Sequence, residues 1–202
     1  MKGKVLLVVV ILSAMVSQAQ RFHGGIMAGG VMSQVQGDSY GGFNKPGFYG
    51  GAFVSLDLAK IHSVQMEIDF IQKGSRRNSD PENGDYDFYL FRANYIEIPL
   101  LYQVRILKKF GFEIGPAIDV LVGSYEESED GEITNLVPMR PVTYSALAGV
   151  WYQFIPRMKV DFRFSMSVTS MRDGETTGYY KRFGTWGQYD DLLALTLWYR
   201  FK

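Results

Sequence analysis

The chain has 202 residues, of which 47% are hydrophobic and 21% are charged, and its 21 basic side chains equal its 21 acidic ones. This balance argues against nucleic acid as a partner, because nucleic-acid-binding proteins usually carry a basic excess. The absence of cysteine excludes a disulfide framework, a Cys-ligated metal site and a cysteine nucleophile. Beyond the N-terminus no stretch approaches the roughly 18 apolar residues of a transmembrane helix, so a helical membrane protein is excluded.

The first predicted element is a secretory signal peptide over residues 1–19. Two lysines open the chain, an unbroken apolar run follows at 5–12, and Ala19 ends a small-residue cleavage signal. Such segments direct export and are removed from the mature protein. We therefore expect residues 20–202 to form a single exported domain. This domain has 19 basic and 21 acidic side chains.

The rest of the chain is dominated by alternating apolar and polar residues, which is the period of a β-strand. Val160, Phe162 and Phe164 fall on one face of such a segment, whereas Asp161 and Arg163 fall on the other. The same alternation predicts eight strands, at about 22–34, 48–58, 62–74, 91–105, 110–123, 144–154, 159–169 and 189–201. An all-β fold follows from this pattern.

The predicted connections alternate in length along the chain. The short ones lie at 59–61, 106–109 and 155–158, and the long polar ones at about 35–47, 75–90, 124–143 and 170–188. In a meander of hairpins, short and long connections therefore lie at opposite ends. Outer-membrane barrels have this arrangement, with short periplasmic turns and long extracellular loops. The predicted fold class is an all-β, eight-stranded antiparallel up-and-down transmembrane β-barrel, located in the cell outer membrane.

A soluble ligand carrier with an apolar interior also has eight strands, so the orientation of the two faces decides between the classes. The apolar face is nearly free of charge over about ten residues per strand, close to the ~9–11 that cross a bilayer. In water such a wide apolar wall would be an aggregation surface, so we expect it to face lipid. The charged residues of the other face form the predicted interior polar network: Asp57, Glu67, Asp69, Glu97, Arg105, Glu113, Asp119, Asp161, Arg163 and Arg200.

An eight-stranded barrel is only wide enough for side chains to fill its lumen. We therefore expect no open pore, and we expect the buried charges to pair with one another. Aromatic residues gather near both strand ends, as in interfacial girdles, although aromatic residues also favour strands in general. The girdle positions are Phe22, Phe110, Phe154 and Phe201 at the turn end and Phe48, Tyr89, Phe91, Tyr125, Tyr144 and Tyr189 at the loop end.

Two neighbouring motifs carry a family resemblance. Residues 95–102 read YIEIPLLY, with Glu97 and Pro99, and residues 112–117 read FEIGPA, with Gly115 and Pro116. Separated by a short basic turn, they resemble the hallmark of the PorT-like outer-membrane β-barrel family. The resemblance implies the barrel fold and the outer membrane but little about activity. The family's namesake is linked to a Gram-negative secretion system, which leaves open a role as accessory subunit of such a machine.

The two prolines also have a direct structural meaning. Proline cannot donate a hydrogen bond to a neighbouring strand, and a closed barrel has no edge on which to place it. We therefore predict a bulge or a broken ladder at Pro99 and at Pro116, with the two residues facing each other across the fourth and fifth strands.

The sequence predicts no catalytic residue, cofactor or metal site. His23 and His62 are the only histidines, and both begin strands at the turn end, away from the loops. Activation of a loop serine by a histidine base is therefore disfavoured, and with it a lipid-modifying enzyme. The predicted function is a non-enzymatic barrel with a filled interior and a structural or recognition role through its extracellular loops.

The expected partners are outer-membrane lipid, lipopolysaccharide and a protein of an envelope complex. The last long loop mixes aromatic and cationic side chains, a composition that suits contact with sugars or with a protein surface. Embedding of this loop in the membrane interface is the alternative. The residues concerned are Tyr179, Tyr180, Arg182, Phe183, Trp186 and Tyr189.

Overall fold

A computed structural model describes residues 22–134, 137–173 and 180–201. The predicted signal peptide lies outside these residues. The strands are β1 (Phe22–Gln36), β2 (Lys45–Asp57), β3 (His62–Arg77), β4 (Tyr89–Leu107), β5 (Phe110–Ser128), β6 (Gly131–Glu132), β7 (Val142–Ile155), β8 (Met158–Ser167), β9 (Arg172–Asp173), β10 (Lys181–Arg182) and β11 (Thr185–Arg200). A 3₁₀ turn at Pro81–Asn83 accompanies them. The described residues include no helix long and apolar enough to cross a membrane.

Eight long strands form a closed antiparallel ring in the order β1, β2, β3, β4, β5, β7, β8 and β11. The last strand pairs with the first from Gly25↔Arg200 to Gln36↔Tyr189, which closes the barrel. The short strands β6, β9 and β10 lie in the long loops and pair with β5 or β11. This topology confirms the predicted eight-stranded up-and-down barrel. Closure leaves no unpaired strand edge, which a bilayer could not solvate.

The two faces of the wall are oriented as the alternation predicted. On β8, Asp161, Arg163 and Ser165 are buried in the lumen, whereas Phe162 and Phe164 are 47% and 38% exposed on the outside. The same alternation recurs on the other long strands. The outer wall is therefore apolar and the lumen carries the polar residues, as in a membrane barrel and opposite to a soluble carrier.

The lumen also holds an apolar cluster that alternation did not predict. Its members interleave with the charged groups along the lumen, and Phe53 and Trp198 lie at its turn end. They include Met27, Val31, Tyr49, Phe53, Ile71, Phe91, Tyr95, Met171, Leu192 and Trp198. Aromatic side chains thus fill the space that ion pairs leave between them.

The predicted loop-end girdle is partly wrong. Phe48, Tyr125 and Tyr144 are exposed, as expected of a girdle, but Tyr89, Phe91 and Tyr189 are buried in the lumen. Successive residues of a strand point to opposite faces, so a position near a strand end does not by itself place a side chain outside. The strands also run further at this end than predicted, since β3, β4 and β5 extend beyond the expected boundaries.

The pairing between strands is interrupted beside the two prolines, as predicted. Between β4 and β5, the paired residues pass from Pro99↔Ala117 to Tyr102↔Ile114 with the same offset, so no bulge is present there. The pairing between β3 and β4 has a similar local interruption, between Met66↔Leu100 and Asp69↔Glu97. The prolines do not face each other, however, because Pro99 is buried in the lumen and Pro116 is exposed on the outer wall.

Candidate functional site

Arg163 on β8 is the hub of one buried network in the middle of the lumen. Its side chain is 1% exposed, and its Nη1 lies 2.9 Å from Glu67 Oε2 on β3. Its Nε donates to Glu113 Oε1 on β5 at 2.8 Å, and Nη1 also donates to the Tyr49 hydroxyl at 2.9 Å. Asp161 Oδ1 lies 3.4 Å from Nε. A buried guanidinium needs this many partners because removing it from water is costly.

Lys73 on β3 is the hub of a second network, nearer the loop end. Its Nζ is fully buried and lies 3.1 Å from Glu97 Oε2, 3.1 Å from Asp119 Oδ1 and 3.3 Å from Asp190 Oδ2. These carboxylates come from β4, β5 and β11. The Tyr49 hydroxyl donates to Glu97 Oε1 at 2.8 Å, which joins this network to that of Arg163.

A third buried ion pair closes the loop end of the lumen. Arg172 on β9 places its Nη2 2.7 Å from Glu126 Oε2, and its guanidinium lies over the Phe91 ring at 4.8 Å. The Tyr89 hydroxyl donates to Glu126 Oε1 at 2.6 Å. The last long loop therefore folds back into the barrel at Arg172. Together the three networks fill the lumen at successive heights, as expected of a barrel this narrow.

The ten residues of the predicted interior network divide into two groups. Those buried in the lumen are Glu67, Asp69, Glu97, Glu113, Asp119, Asp161 and Arg163. Asp57, Arg105 and Arg200 do not join them and line the opening of the lumen at the turn end. For these three the prediction of a buried network is wrong, because they lie near the ends of their strands, where the lumen opens to water.

The residues of the family motif have structural contacts. Glu97 binds Lys73 and Tyr49, as described above. Gly115 lies so close to β4 that a Cβ would overlap the Leu100 carbonyl oxygen. Pro99 and Pro116 lie at the interrupted pairing. The motif therefore shapes the contact between β4 and β5.

Sequence reasoning missed the cations that serve the acids nearest the loops. Lys73 continues the inward series Glu67, Asp69, Ile71 at the same spacing of two, so extending that series along the strand would have found it. Arg172 carried no such signal, because its position depends on a loop folding back. Of the three arginines in the predicted interior network, only Arg163 pairs with buried acids within the part of the chain that the structure describes.

Both histidines lie at the turn end and have partners there. His23 Nε2 lies 3.0 Å from Asp57 Oδ2, and His62 Nδ1 lies 2.7 Å from the Tyr102 hydroxyl. The Ser55 hydroxyl donates to the backbone oxygen of His23, at 3.5 Å. Within residues 22–134, 137–173 and 180–201, no serine–histidine pair forms at the loop end and no cluster of His, Asp and Glu could hold a metal ion.

The last long loop presents an exposed surface, which we call the loop-end patch, formed by Lys181, Phe183 and Trp186. Phe183 is 68% exposed and Trp186 is 48% exposed, and Lys181 Nζ lies 5.7 Å from the Trp186 ring. Arg182 anchors the patch, since it donates to both carboxylate oxygens of Asp191 at 2.8 and 2.9 Å. Tyr179, predicted to belong to this surface, lies outside the described residues.

Tyr180 and Tyr189 pack beneath the loop-end patch. Their rings meet edge to face at 6.0 Å between centroids, and the Arg182 guanidinium lies over both rings. The Tyr189 hydroxyl donates to the Thr185 backbone oxygen at 2.8 Å. The β10–β11 hairpin is thus held by an ion pair, a hydroxyl and two rings, which gives the exposed residues a fixed platform.

Comparison with known proteins agrees with this architecture. The sequence profile of the family described as "Outer membrane protein beta-barrel domain" matches residues 17–173. Comparison with the curated proteins finds no match. Among solved structures, Neisserial surface protein A superposes with a TM-score of 0.57 at 10% identity, over 88% of this chain and 97% of that one. Ail, the attachment invasion locus protein of Yersinia pestis, superposes with a TM-score of 0.50 at 14% identity, over 90% and 99% of the two chains.

Proposed function

We propose that this chain, which belongs to the outer membrane protein beta-barrel domain family, is a non-enzymatic barrel that recognises its ligand at the loop end. The protein lies in the outer membrane, and we propose that residues 1–19 direct its export. One observation carries the proposal: the loop-end patch exposes two large aromatic side chains and a lysine on an anchored hairpin. A rigid aromatic surface with a cation is typical of recognition sites, because little conformational entropy is lost on binding.

The proposed ligand is the sugar region of lipopolysaccharide, which surrounds the loop end of an outer-membrane barrel. Phe183 and Trp186 would pack against sugar rings, and Lys181 would bind their phosphate groups. Ail, which shares the fold, has been crystallised with the heparin analogue sucrose octasulfate. A sulfated sugar is therefore a suitable second probe for this chain.

The test is a titration of the purified barrel in detergent with lipopolysaccharide core oligosaccharide, and separately with sucrose octasulfate. The double variant Lys181→Gln, Trp186→Ala is expected to bind the oligosaccharide about tenfold more weakly, because it loses a cation and an aromatic anchor. Lys108→Gln, at the opposite end of the barrel, is the matched control and should bind as the parent does. Equal binding by the double variant would contradict the proposal.

A second candidate is an accessory subunit of an outer-membrane secretion or assembly machine. The PorT-like motif favours it, because Pro116 is exposed on the outer wall beside the interrupted β4–β5 pairing, where a second protein could pack. Extraction of the tagged barrel in mild detergent separates the candidates. Stable co-purifying subunits would support the machine, whereas a lone heat-modifiable band would support the autonomous barrel. A lipid-modifying enzyme is not favoured, because both histidines lie at the turn end.

A further inference from the structure

The lumen opens at the turn end into a cavity of about 160 Å³, which we call the turn-end mouth. Its floor is formed by Trp151 and Trp198, with Lys159 beside them, and its rim carries Arg105 and Arg200. This cavity lies at the opposite end of the barrel from the loop-end patch. The contacts of the three lumen networks do not explain why this cavity is open.

The lining of the turn-end mouth is strongly cationic. Five basic side chains line it, namely Lys60, Arg105, Arg157, Lys159 and Arg200, against the single lining carboxylate of Asp57. Asp57 is already paired with His23 at 3.0 Å. Among the described residues, Arg105 has no carboxylate partner within ion-pair distance, although its guanidinium lies 5.7 Å from the Trp151 ring. The mouth therefore has positive charge that the chain itself does not neutralise.

The floor of the mouth is aromatic and rigid. Lys159 Nζ lies between the two indoles, 4.4 Å from the Trp198 ring and 5.5 Å from the Trp151 ring. The Trp151 indole packs against Gly111, because a Cβ on residue 111 would overlap the ring. Trp151 is only 5% exposed, yet its Nε1 has no hydrogen-bond partner among the described residues. Most buried N–H groups have a partner, and this one has none among the described residues.

We propose that the turn-end mouth binds a small aromatic carboxylate. The cavity is similar in volume to engineered apolar cavities of about 150 Å³, which accept benzene. A single ring is therefore of a size to fit in the mouth, where Trp151 is its aromatic neighbour. The guanidinium of Arg105 is the group best suited to the carboxylate, because its planar N–H donors match the two carboxylate oxygens. Lys159, whose Nζ lies 4.0 Å from Glu113 Oε2, is a second cation of the mouth and is partly neutralised by that glutamate.

The probe for this proposal is benzoate, and the readout is tryptophan fluorescence. The chain has three tryptophans, of which Trp151 and Trp198 line the mouth and Trp186 does not. The protein in detergent, carrying Trp186→Phe, should show a saturable change in fluorescence with benzoate. Benzamide, which has the same shape without the charge, should bind at least about tenfold more weakly, because hydrogen bonds to charged groups are the stronger ones.

Two variants in the same Trp186→Phe protein identify the anion-binding group. Arg105→Gln should weaken benzoate binding about tenfold. Arg105 is exposed, so the variant should fold as the parent does, and heat-modifiable mobility checks this. Lys108→Gln removes a cation from the neighbouring turn, outside the mouth, and should bind as the parent does. Absence of a saturable signal, equal binding of benzamide, or undiminished binding by Arg105→Gln would each overturn the proposal. Because Trp186 is absent throughout, these outcomes are independent of recognition at the loop end.

Discussion

Arg163 and Glu67 meet across the lumen, with Nη1 of the arginine 2.9 Å from Oε2 of the glutamate. Their strands, β8 and β3, are four places apart in a ring of eight and therefore stand opposite each other. One ion pair thus bridges the full width of the barrel. The side chains that fill the lumen therefore also connect opposite strands of the wall. This gives the loops a rigid base.

Loss of the Arg163 side chain should destabilise the barrel strongly. Arg163→Met leaves Glu67, Glu113 and Asp161 buried without their shared cation, and breaking a buried pair of this kind costs about 3–5 kcal/mol. Urea unfolding in detergent, followed by heat-modifiable mobility, measures this change in the free energy of unfolding. Arg200→Met, at the open turn end, is the control and should cost less than about 1 kcal/mol. Equal costs for the two variants would refute the account of the network.

Two adjacent glycines on β1 should respond differently to alanine. Gly29 lies so close to β11 that a Cβ would overlap the Leu195 carbonyl oxygen, whereas a Cβ on Gly30 would lie 3.6 Å from the Gly47 oxygen. Gly29→Ala should therefore cost about 1–3 kcal/mol, because the two strands must move apart. Gly30→Ala should be nearly neutral in the same unfolding assay. A Gly29→Ala protein as stable as Gly30→Ala would mean that β1 and β11 are not so closely packed.

The loop between β3 and β4 should lose an ion pair in acid. Arg77 Nη2 donates to Asp85 Oδ2 at 2.7 Å, and this hydrogen bond holds the pKa of Asp85 below its ordinary value. A lowered carboxyl pKa means that the pair is complete at neutral pH and is lost as the pH falls through that pKa.

Titration of the Asp85 carboxyl carbon by NMR checks this expectation. The Arg77→Gln variant should show the pKa of Asp85 moved up towards about 3.9, the ordinary value. Lys60→Gln, at the opposite end of the barrel, should leave the pKa of Asp85 unchanged. An Asp85 pKa that is the same with and without Arg77 would show that the pair does not exist in solution.

The strands of the barrel wall were predictable from the sequence because they depend on the pattern of neighbouring residues. Alternation on a segment such as 159–169 fixes which side chains face lipid, and the lengths of the turns fix the order of the strands. The same local reasoning placed Glu67, Glu97 and Asp161 in the lumen, where the structure has them.

The partners of these residues were less predictable, because they depend on contacts across the ring. Nothing local to Arg163 indicates Glu67, which lies 96 positions away in the chain. Arg172 is brought into the lumen by a loop whose path alternation does not describe. Arg105 and Arg200 follow the inward series and yet stand in the open mouth, because periodicity gives the face of a residue and not its depth.

Buried ion pairs fill the lumen, and we propose that the barrel acts through its ends. Conductance across planar bilayers tests the filled lumen most directly. The purified parent protein, inserted under conditions that give stepwise conductance with a known porin, should produce no stable steps. Reproducible ohmic steps from correctly folded, heat-modifiable protein would contradict the account.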